Sequence, residues 1–282
     1  YDCLTGFKYI GEQIALLEAA QPFLGEGMFS GIRISTRPDA VDSAVLERLE
    51  RYHVTAVELG AQSMCDHVLY QNERGHDAQA VRQASAMLRE RGFSLGLQQM
   101  VGLYGSTLQD EYDTLEQLLA CQPETLRIYP TAVLEGTKLA EYYFRGGYPQ
   151  LSQEEVLDYC ADALCRCHHA GVRVIRLGLH DTPSLREHLL AGYFHPAYGE
   201  LAESRLYLRQ LKAAAADCGK TELFVETAPR TMSKVLGQHG CNRKALAEQG
   251  VSLRVRENAA VAAGTLLAGQ QVYAVFTERN SL

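Results

Sequence analysis

GIRISTRPDAVDSAVLERLERYHVTAVELGAQS, residues 31–63, decides the fold. The apolar run Ile32–Ser35 reads as a strand, and Arg37-Pro38-Asp39 as the tight turn after it. Val41, Val45, Leu46 and Leu49 then recur at helical spacing. Val54–Leu59 is a second apolar strand, ending in Gly60-Ala61-Gln62-Ser63. A helix between two buried strands is a β-α-β unit. Its polar residues fall just past the C-terminal ends of the strands, the edge at which parallel α/β folds bind ligands.

The same alternation continues in both directions. Upstream, Tyr1–Gly6 reads as a strand end and turn, and Ile10–Phe23 as an amphipathic helix with Ile10, Ile14, Leu17 and Ala20 on one face. Downstream, residues 64–91 are helical with a break at Arg74-Gly75-His76. Phe93–Gly102 is a third strand, and Thr107 caps the next helix, whose first turn carries Asp110 and Glu111. Leu126–Val133 is a fourth strand, followed by a helix over 138–144. Ser152, with Glu155 at the capping-box position, starts a long helix to Ala170, and Val172–Leu179 is a fifth strand. Such repetition predicts a parallel β/α architecture, barrel-like or doubly wound. After His180 the pattern changes. Residues 184–217 are helical with an interruption at 194–200, and from Glu222 strands and short helices mix as an α+β module. The boundary falls at 216–221, giving domains 1–216 and 217–282.

A net charge of -7 over 282 residues excludes a global electrostatic attraction to nucleic acid, so RNA contact must rest on a local patch. No apolar run reaches membrane-spanning length and no segment reads as a signal peptide, so a cytoplasmic protein with no membrane partner is expected. The eight cysteines (3, 65, 121, 160, 165, 167, 218, 241) form no disulfide framework, which fits a reducing compartment. Cys160, Cys165, Cys167, His168 and His169 lack zinc-site spacing and read as buried small residues and surface histidines, so no metal ligand is assigned. Gly105-Ser106-Thr107 suits an anion at a helix start, but no Gly-Lys-Ser/Thr marks a nucleotide loop.

Two constellations carry chemistry. Arg37, Glu58, Gln62, Arg74, His76, Gln98 and Arg127 all fall at or beyond strand ends. Singly each reads equally as a cap or loop ligand; together they describe one polar rim. In the C-terminal module, Gly237-Gln238-His239-Gly240 is a G-x-x-G turn between two helices, with the alternating strand Val251–Val255 behind it. In KH-like modules such glycines let the backbone approach RNA phosphates. Lys234, Arg243 and Lys244 add charge beside Gly237 and Gly240, although Gln238 and His239 stand where basic residues are usual.

On GIRISTRPD (31–39), VTAVELGAQS (54–63), ERGH (73–76), VGLYGST (101–107), RIYPT (127–131) and HPAYGEL (195–201), the chain resembles the radical S-adenosylmethionine (radical SAM) proteins. The nearest branch is the bacterial relatives of the elongator catalytic subunit, akin to the oxygen-independent coproporphyrinogen oxidases. The resemblance spans Gly31 to Leu201 and implies a partial (βα)6 radical SAM barrel missing its first β/α unit, beside the small α+β KH-like module. It implies a cofactor surface of Ser35 or Thr36, Gln62, Arg74 and Gln98, with Arg127 and Tyr129 facing substrate. A guanidinium suits the methionine carboxylate; amides and hydroxyls suit ribose and amine.

Departures from the family are plain. Its C-x3-C-x2-C loop, whose three thiolates hold a 4Fe-4S cluster, does not occur among the eight cysteines. Its Gly-Gly-Ser-Phe-Thr turn aligns with Tyr1–Thr5, where only Thr5 agrees. The elongator subunit's acetyltransferase domain has no counterpart, and the C-terminal module stands in its place. The resemblance therefore implies a radical SAM enzyme acting on RNA, tRNA foremost, whose cluster segment lies outside these residues. The chain alone is expected to be inactive. Flavodoxin or ferredoxin would supply electrons to the complete protein. The alternatives are a catalytically inactive barrel that binds RNA and a coproporphyrinogen-oxidase-like small-molecule enzyme. Either way, Gly31–Thr36 should be an exposed sheet edge.

Overall fold

A computed structural model describes residues 10–277. The turn expected at Tyr1–Gly6, and Thr5 with it, lies outside them. Along the chain run α1 (Ile10–Ala20), β1 (Ile32–Thr36), α2 (Ser43–Arg51), β2 (Val54–Gln62), α3 (Asp66–Gln71), α4 (Ala78–Glu90) and β3 (Ser94–Val101). Then come α5 (Leu108–Ala120), β4 (Thr125–Pro130), β5 (Ala132–Leu134), α6 (Lys138–Phe144), α7 (Gln153–His169), β6 (Arg173–Leu177), α8 (Pro183–His188) and β7 (Leu189–Gly192). The last stretch holds α9 (Tyr198–Cys218), β8 (Glu222–Thr227), α10 (Met232–Leu236), α11 (Cys241–Ala247), β9 (Ser252–Glu257), β10 (Thr265–Ala268) and β11 (Gln271–Ala274). These elements form two compact units, Tyr1–Ser152 with Ala170–Phe194, and Gln153–His169 with His195–Leu282.

The first unit is built on a parallel sheet in the order β1-β2-β3-β4-β6. Each strand joins its predecessor in the sheet, so every crossover steps the same way. That is the winding of a β/α barrel wall; a doubly wound sheet would reverse direction. Among the described residues strand β1 is an edge of this sheet, although its Ile34 and Thr36 side chains are buried. One face is apolar because alternate residues point to it: Ile34, Val57, Leu59, Leu95, Leu97, Leu126 and Ile128 are buried. Helix α2 covers β2, α4 covers β2 and β3, and α5 covers β3. Burying each such leucine or isoleucine contributes about 1.5–3 kcal/mol. Thr107 caps α5 in a reciprocal box with Asp110, and α2 starts on an Asp42 cap.

Three local expectations differ. Ile10 is exposed, and Leu17 is the buried apolar residue of α1. Residues 126–133 are not one strand: β4 stops at Pro130, whose ring nitrogen has no hydrogen for the ladder, and β5 turns away to pair antiparallel with β7. Strands β7 and β10 carry no pattern that the sequence alone reveals, since each is only four residues long.

The second unit joins α7 and α9 to a sheet in the order β11-β10-β8-β9, with β8 and β9 parallel. Between those two strands lie α10, the G-x-x-G turn and α11. The expected boundary at 216–221 does not separate the compact units. Leu206, Leu211 and Ala214 of α9 share one core with Leu223, Val225, Val235, Leu246 and Leu253, and Ala161 and Cys165 of α7 enter it too. Arg205 and Arg209 of α9 tie down Glu154, Asp158 and Asp162 of α7. Local periodicity shows that α9 is a helix but not which core it serves.

Candidate functional site

The uncovered face of the first sheet is polar. Register lines up Ser35, Glu58, Gly96 and Thr125 across β1–β4, and the next row holds Gln98, Arg127 and Arg176. Glu58, with a side chain 4% exposed, accepts from Arg127 Nε at 2.6 Å. Arg127 Nη1 in turn donates to the Tyr129 hydroxyl at 3.1 Å. Burial opposes the guanidinium charge, but the Tyr129 hydroxyl and the Glu58 carboxylate outweigh it and hold Arg127 above its ordinary value. Gln98 Nε2 donates to Gln62 Oε1 at 3.0 Å. Gln62 sits at φ 67°, at the end of β2, a backbone conformation uncommon for a side chain that is not glycine.

Two glycines keep this face open. A Cβ on Gly60 would come within 2.7 Å of Gln62 Nε2, and one on Gly96 within 2.9 Å of Thr125 Oγ1 and 3.4 Å of the Glu58 side chain. Between them they leave a cradle bordered by amides, a carboxylate and a guanidinium. Ser35 belongs to this face. Thr36 does not: by strand alternation it points to the helix-covered side, where it is 1% exposed. Of the cofactor pair Ser35 or Thr36, Ser35 alone shares the face of Gln62 and Gln98.

Arg74 comes from a different element than these amides. It lies in the loop between α3 and α4, which is fastened to the sheet where His76 Nε2 meets the Ala61 carbonyl at 3.1 Å. Gly75, at φ 74°, lets this loop pass Arg37: a Cβ there would lie 2.9 Å from Arg37 Nη2. Arg37 itself pairs with Asp39 at 2.7 Å. Arg74 lines a cavity of about 1000 Å3 with Tyr70, His76, Tyr104 and Tyr142.

Glu111 plays a part that its sequence position conceals. It is buried, and accepts from Ser106 Oγ at 2.6 Å, Gly102 N at 2.7 Å and Gln99 Nε2 at 3.1 Å. It thereby clamps the loop after β3. Burial pushes its carboxyl up to about 7, against the pull of those donors. Gly102 must be glycine: a Cβ would come within 2.4 Å of the Tyr193 ring.

In the second unit the G-x-x-G turn has a structural half and an open half. A Cβ on Gly237 would strike Cys241 Sγ at 2.4 Å, whereas one on Gly240 would meet nothing within 4 Å. Asn242 is buried and its amide donates to carbonyls of Ser204 and Val235 at 3.1 Å, joining α11 to α9 and α10. Lys234 is ion-paired with Glu203, so its charge is largely spent within the protein. Arg243 and Lys244 are exposed, and Arg243 lines a cavity of about 880 Å3 along the edge strand β9. No group of three His, Cys, Asp or Glu among the described residues is placed to hold a metal ion, and Cys3 lies outside them. Among those residues no helix is long and apolar enough to cross a membrane.

Residues 5–118 match the family model described as the radical SAM superfamily, and residues 123–208 match that of the radical SAM C-terminal domain. An uncharacterized protein of Methanocaldococcus jannaschii is 31% identical over 138 residues, 48% of this chain and 43% of its own length. A tRNA uridine(34) acetyltransferase of Dehalococcoides mccartyi is 36% identical over 122 residues, 42% of this chain and 26% of its own. The chain thus spans less than half the length of these curated relatives. Among solved structures, the Elp3 protein of Methanocaldococcus infernus, with residues 1–46 deleted, superposes with a TM-score of 0.60 over 73% of this chain and 48% of its own, at 24% identity. That similarity is one of fold.

Proposed function

The chain belongs to the radical SAM superfamily, and from that premise we propose that it forms the S-adenosylmethionine-binding part of an RNA-modifying enzyme, with tRNA as the substrate class. The observation that carries this reading is the polar, glycine-gapped face of the first sheet. Gln62 and Gln98, already aligned by their mutual hydrogen bond, would take the ribose hydroxyls and the methionine amine. Ser35 would add a hydroxyl from β1. Arg74 would take the methionine carboxylate, because a guanidinium fork matches a carboxylate in two hydrogen bonds. Arg127 and Tyr129 would face substrate, their geometry fixed by Glu58. When bound, S-adenosylmethionine supplies an electrophilic sulfonium, a source of either a deoxyadenosyl radical or a methyl group.

A 4Fe-4S cluster does not fit the residues present. It needs three thiolates from one loop, and the cysteine spacing of the 282 residues offers no such loop. Flavodoxin or ferredoxin would be needed only where a cluster is held. By itself the chain would bind the cofactor without cleaving it.

RNA as substrate is supported by the relative that acts as a tRNA uridine(34) acetyltransferase. It is also supported by the G-x-x-G turn with exposed Arg243 and Lys244. Titration calorimetry with S-adenosylmethionine tests the cofactor reading. Gln62→Ala combined with Arg74→Ala should weaken binding by about tenfold or more, the loss of one or two charge-assisted hydrogen bonds. Unchanged affinity in that variant would remove both residues from the site.

A further inference from the structure

One wall of the rim in the first unit is aromatic. Tyr104, from the loop after β3, and Tyr142, from α6, stack with ring centroids 4.1 Å apart and planes 6° from parallel. Both rings line the cavity of about 1000 Å3 that holds Arg74, and also a second cavity of about 260 Å3. Tyr70 of α3 stands at the larger cavity with 85% of its surface exposed. Nothing in the radical SAM reading calls for this aromatic surface.

The charges around it are already committed. Asp39 is bound to Arg37, and Glu73 to Lys138. Asp66 accepts from the Ala78 N–H at 2.9 Å, and Asp77 from the Ala80 N–H at 2.8 Å. Four carboxylates line the larger cavity, and each is used by an ion pair or a helix start. Apart from Arg74, which the cofactor reading assigns to the methionine carboxylate, and His76, which meets the Ala61 carbonyl, the lining offers a ligand aromatic area and amide. Gln71 lines both cavities, its Oε1 seated where any Cβ on Gly105 would come within 1.6 Å. A primary amide both donates and accepts, which matches the mixed edge of a heterocyclic base. Asn72 holds the wall in place by donating to the Tyr104 carbonyl at 2.8 Å.

We propose that the Tyr70, Tyr104 and Tyr142 surface, with Gln71, is a stacking site for unpaired bases of single-stranded RNA. Two parallel rings present a flat platform on which a third planar ring continues the stack, and every base has a face to offer. Inside a duplex both faces of each base are covered by its stacked neighbours, so duplex is excluded. Arg37 and Lys138 are ion-paired and Arg74 is assigned to the cofactor, so contact at this wall is led by the rings and not by phosphate. Binding at this wall therefore depends on the base and only weakly on salt, unlike contacts led by lysine and arginine. The proposal rests on the reading of RNA as the substrate class, and gives the first unit its own part in holding it.

Fluorescence anisotropy of a labelled single-stranded 12-mer against the whole chain tests it, with an oligonucleotide of equal length carrying abasic sites alongside. The wild-type protein should prefer the base-bearing strand. Tyr70→Ala and Tyr142→Ala should each lose about tenfold in affinity for it, the scale of one base stack, and approach their affinity for the abasic strand. Tyr142→Phe keeps the ring and should bind as wild type. Tyr70 is exposed, so its removal leaves the fold intact, and far-UV circular dichroism with thermal unfolding monitors the fold in every variant. Wild-type RNA affinity that persists in both alanine variants overturns this inference and leaves the RNA reading standing. Cofactor binding with no RNA affinity in the wild type overturns both. Free nucleosides binding as tightly as the strand would make this a small-molecule site and overturn the RNA assignment.

Discussion

Replacing Glu111 by glutamine should flatten the pH dependence of stability between about pH 4.5 and 7. The carboxyl is buried and titrates at about 7 in the folded chain, against 4.5 as its ordinary value. Between those two values the folded state keeps a proton that the unfolded state has released. Stability therefore falls as pH rises through this window. Below it both states are protonated and the group contributes nothing; above it both are ionised and the full cost remains. Two and a half units at 1.36 kcal/mol each amount to about 3 kcal/mol. The amide of Glu111→Gln does not titrate, so the stability gap between wild type and variant should change by about 3 kcal/mol between pH 4.5 and pH 8, in favour of the variant at the higher pH. The absolute offset is immaterial, because an amide also rearranges the bonds to Ser106, Gly102 and Gln99. The assay is guanidinium unfolding followed by far-UV circular dichroism, since the chain has no tryptophan. Unfolding curves whose separation, compared at the transition midpoints to avoid extrapolation, changes by less than about 1 kcal/mol across that range would refute the burial argument.

Other outcomes follow from single contacts. Glu58→Ala strands Arg127 on the sheet and should cost about 3 kcal/mol in denaturant unfolding, whereas Glu58→Ala with Arg127→Met should recover most of it. Gly96→Ala should weaken S-adenosylmethionine binding in calorimetry more than it lowers the unfolding midpoint, since its methyl enters the cradle against Thr125 and Glu58. Gly240→Asp should still fold, at a cost of about 1 kcal/mol for the positive φ, because the site is open, and should lose RNA affinity if phosphate approaches there. Gly237→Asp should instead destabilise the second unit outright by striking Cys241 and Asn242, so any RNA defect in that variant says nothing of phosphate. Asn242→Ala leaves carbonyls of α9 and α10 without their donor and should lower stability by about 1–3 kcal/mol.

Much of the fold is legible in the sequence because its signals are local. The apolar runs Ile32–Ser35 and Val54–Leu59, and the helical spacing of Val45, Leu46 and Leu49, need no tertiary knowledge. The same holds for Thr107 as a cap and for the break at Arg74-Gly75-His76. What escapes depends on contacts distant in sequence. Asp110 and Glu111 look alike in the first turn of α5, yet one closes a capping box at the surface and the other is buried against the loop after β3. The choice between Ser35 and Thr36 is open to sequence in principle, since Ile34 and Thr36 share a parity and Ser35 has the other. Gln62 and Gln98 read as neighbours on one rim and do touch. The tyrosine wall is invisible, because Tyr70, Tyr104 and Tyr142 come from three elements and none belongs to a motif. Lys234 reads as a basic residue beside a G-x-x-G turn until Glu203 is found against it.

The chain path through the two units has a consequence for dividing the protein. The polypeptide leaves the first unit at residue 153, returns at 170 and leaves again at 195. The units are therefore interleaved along the chain, and no single cleavage between residues 153 and 194 yields two whole pieces. During synthesis α7 is made before β6 completes the first sheet, yet it must wait for α9 and the later strands to find its core. A truncation ending at residue 216 would keep α7 and α9 but deprive Leu206, Leu211 and Ala214 of Leu223 and Val225. Such a piece would expose an apolar stripe and associate through it, and its failure would report chain topology rather than any weakness of the barrel wall.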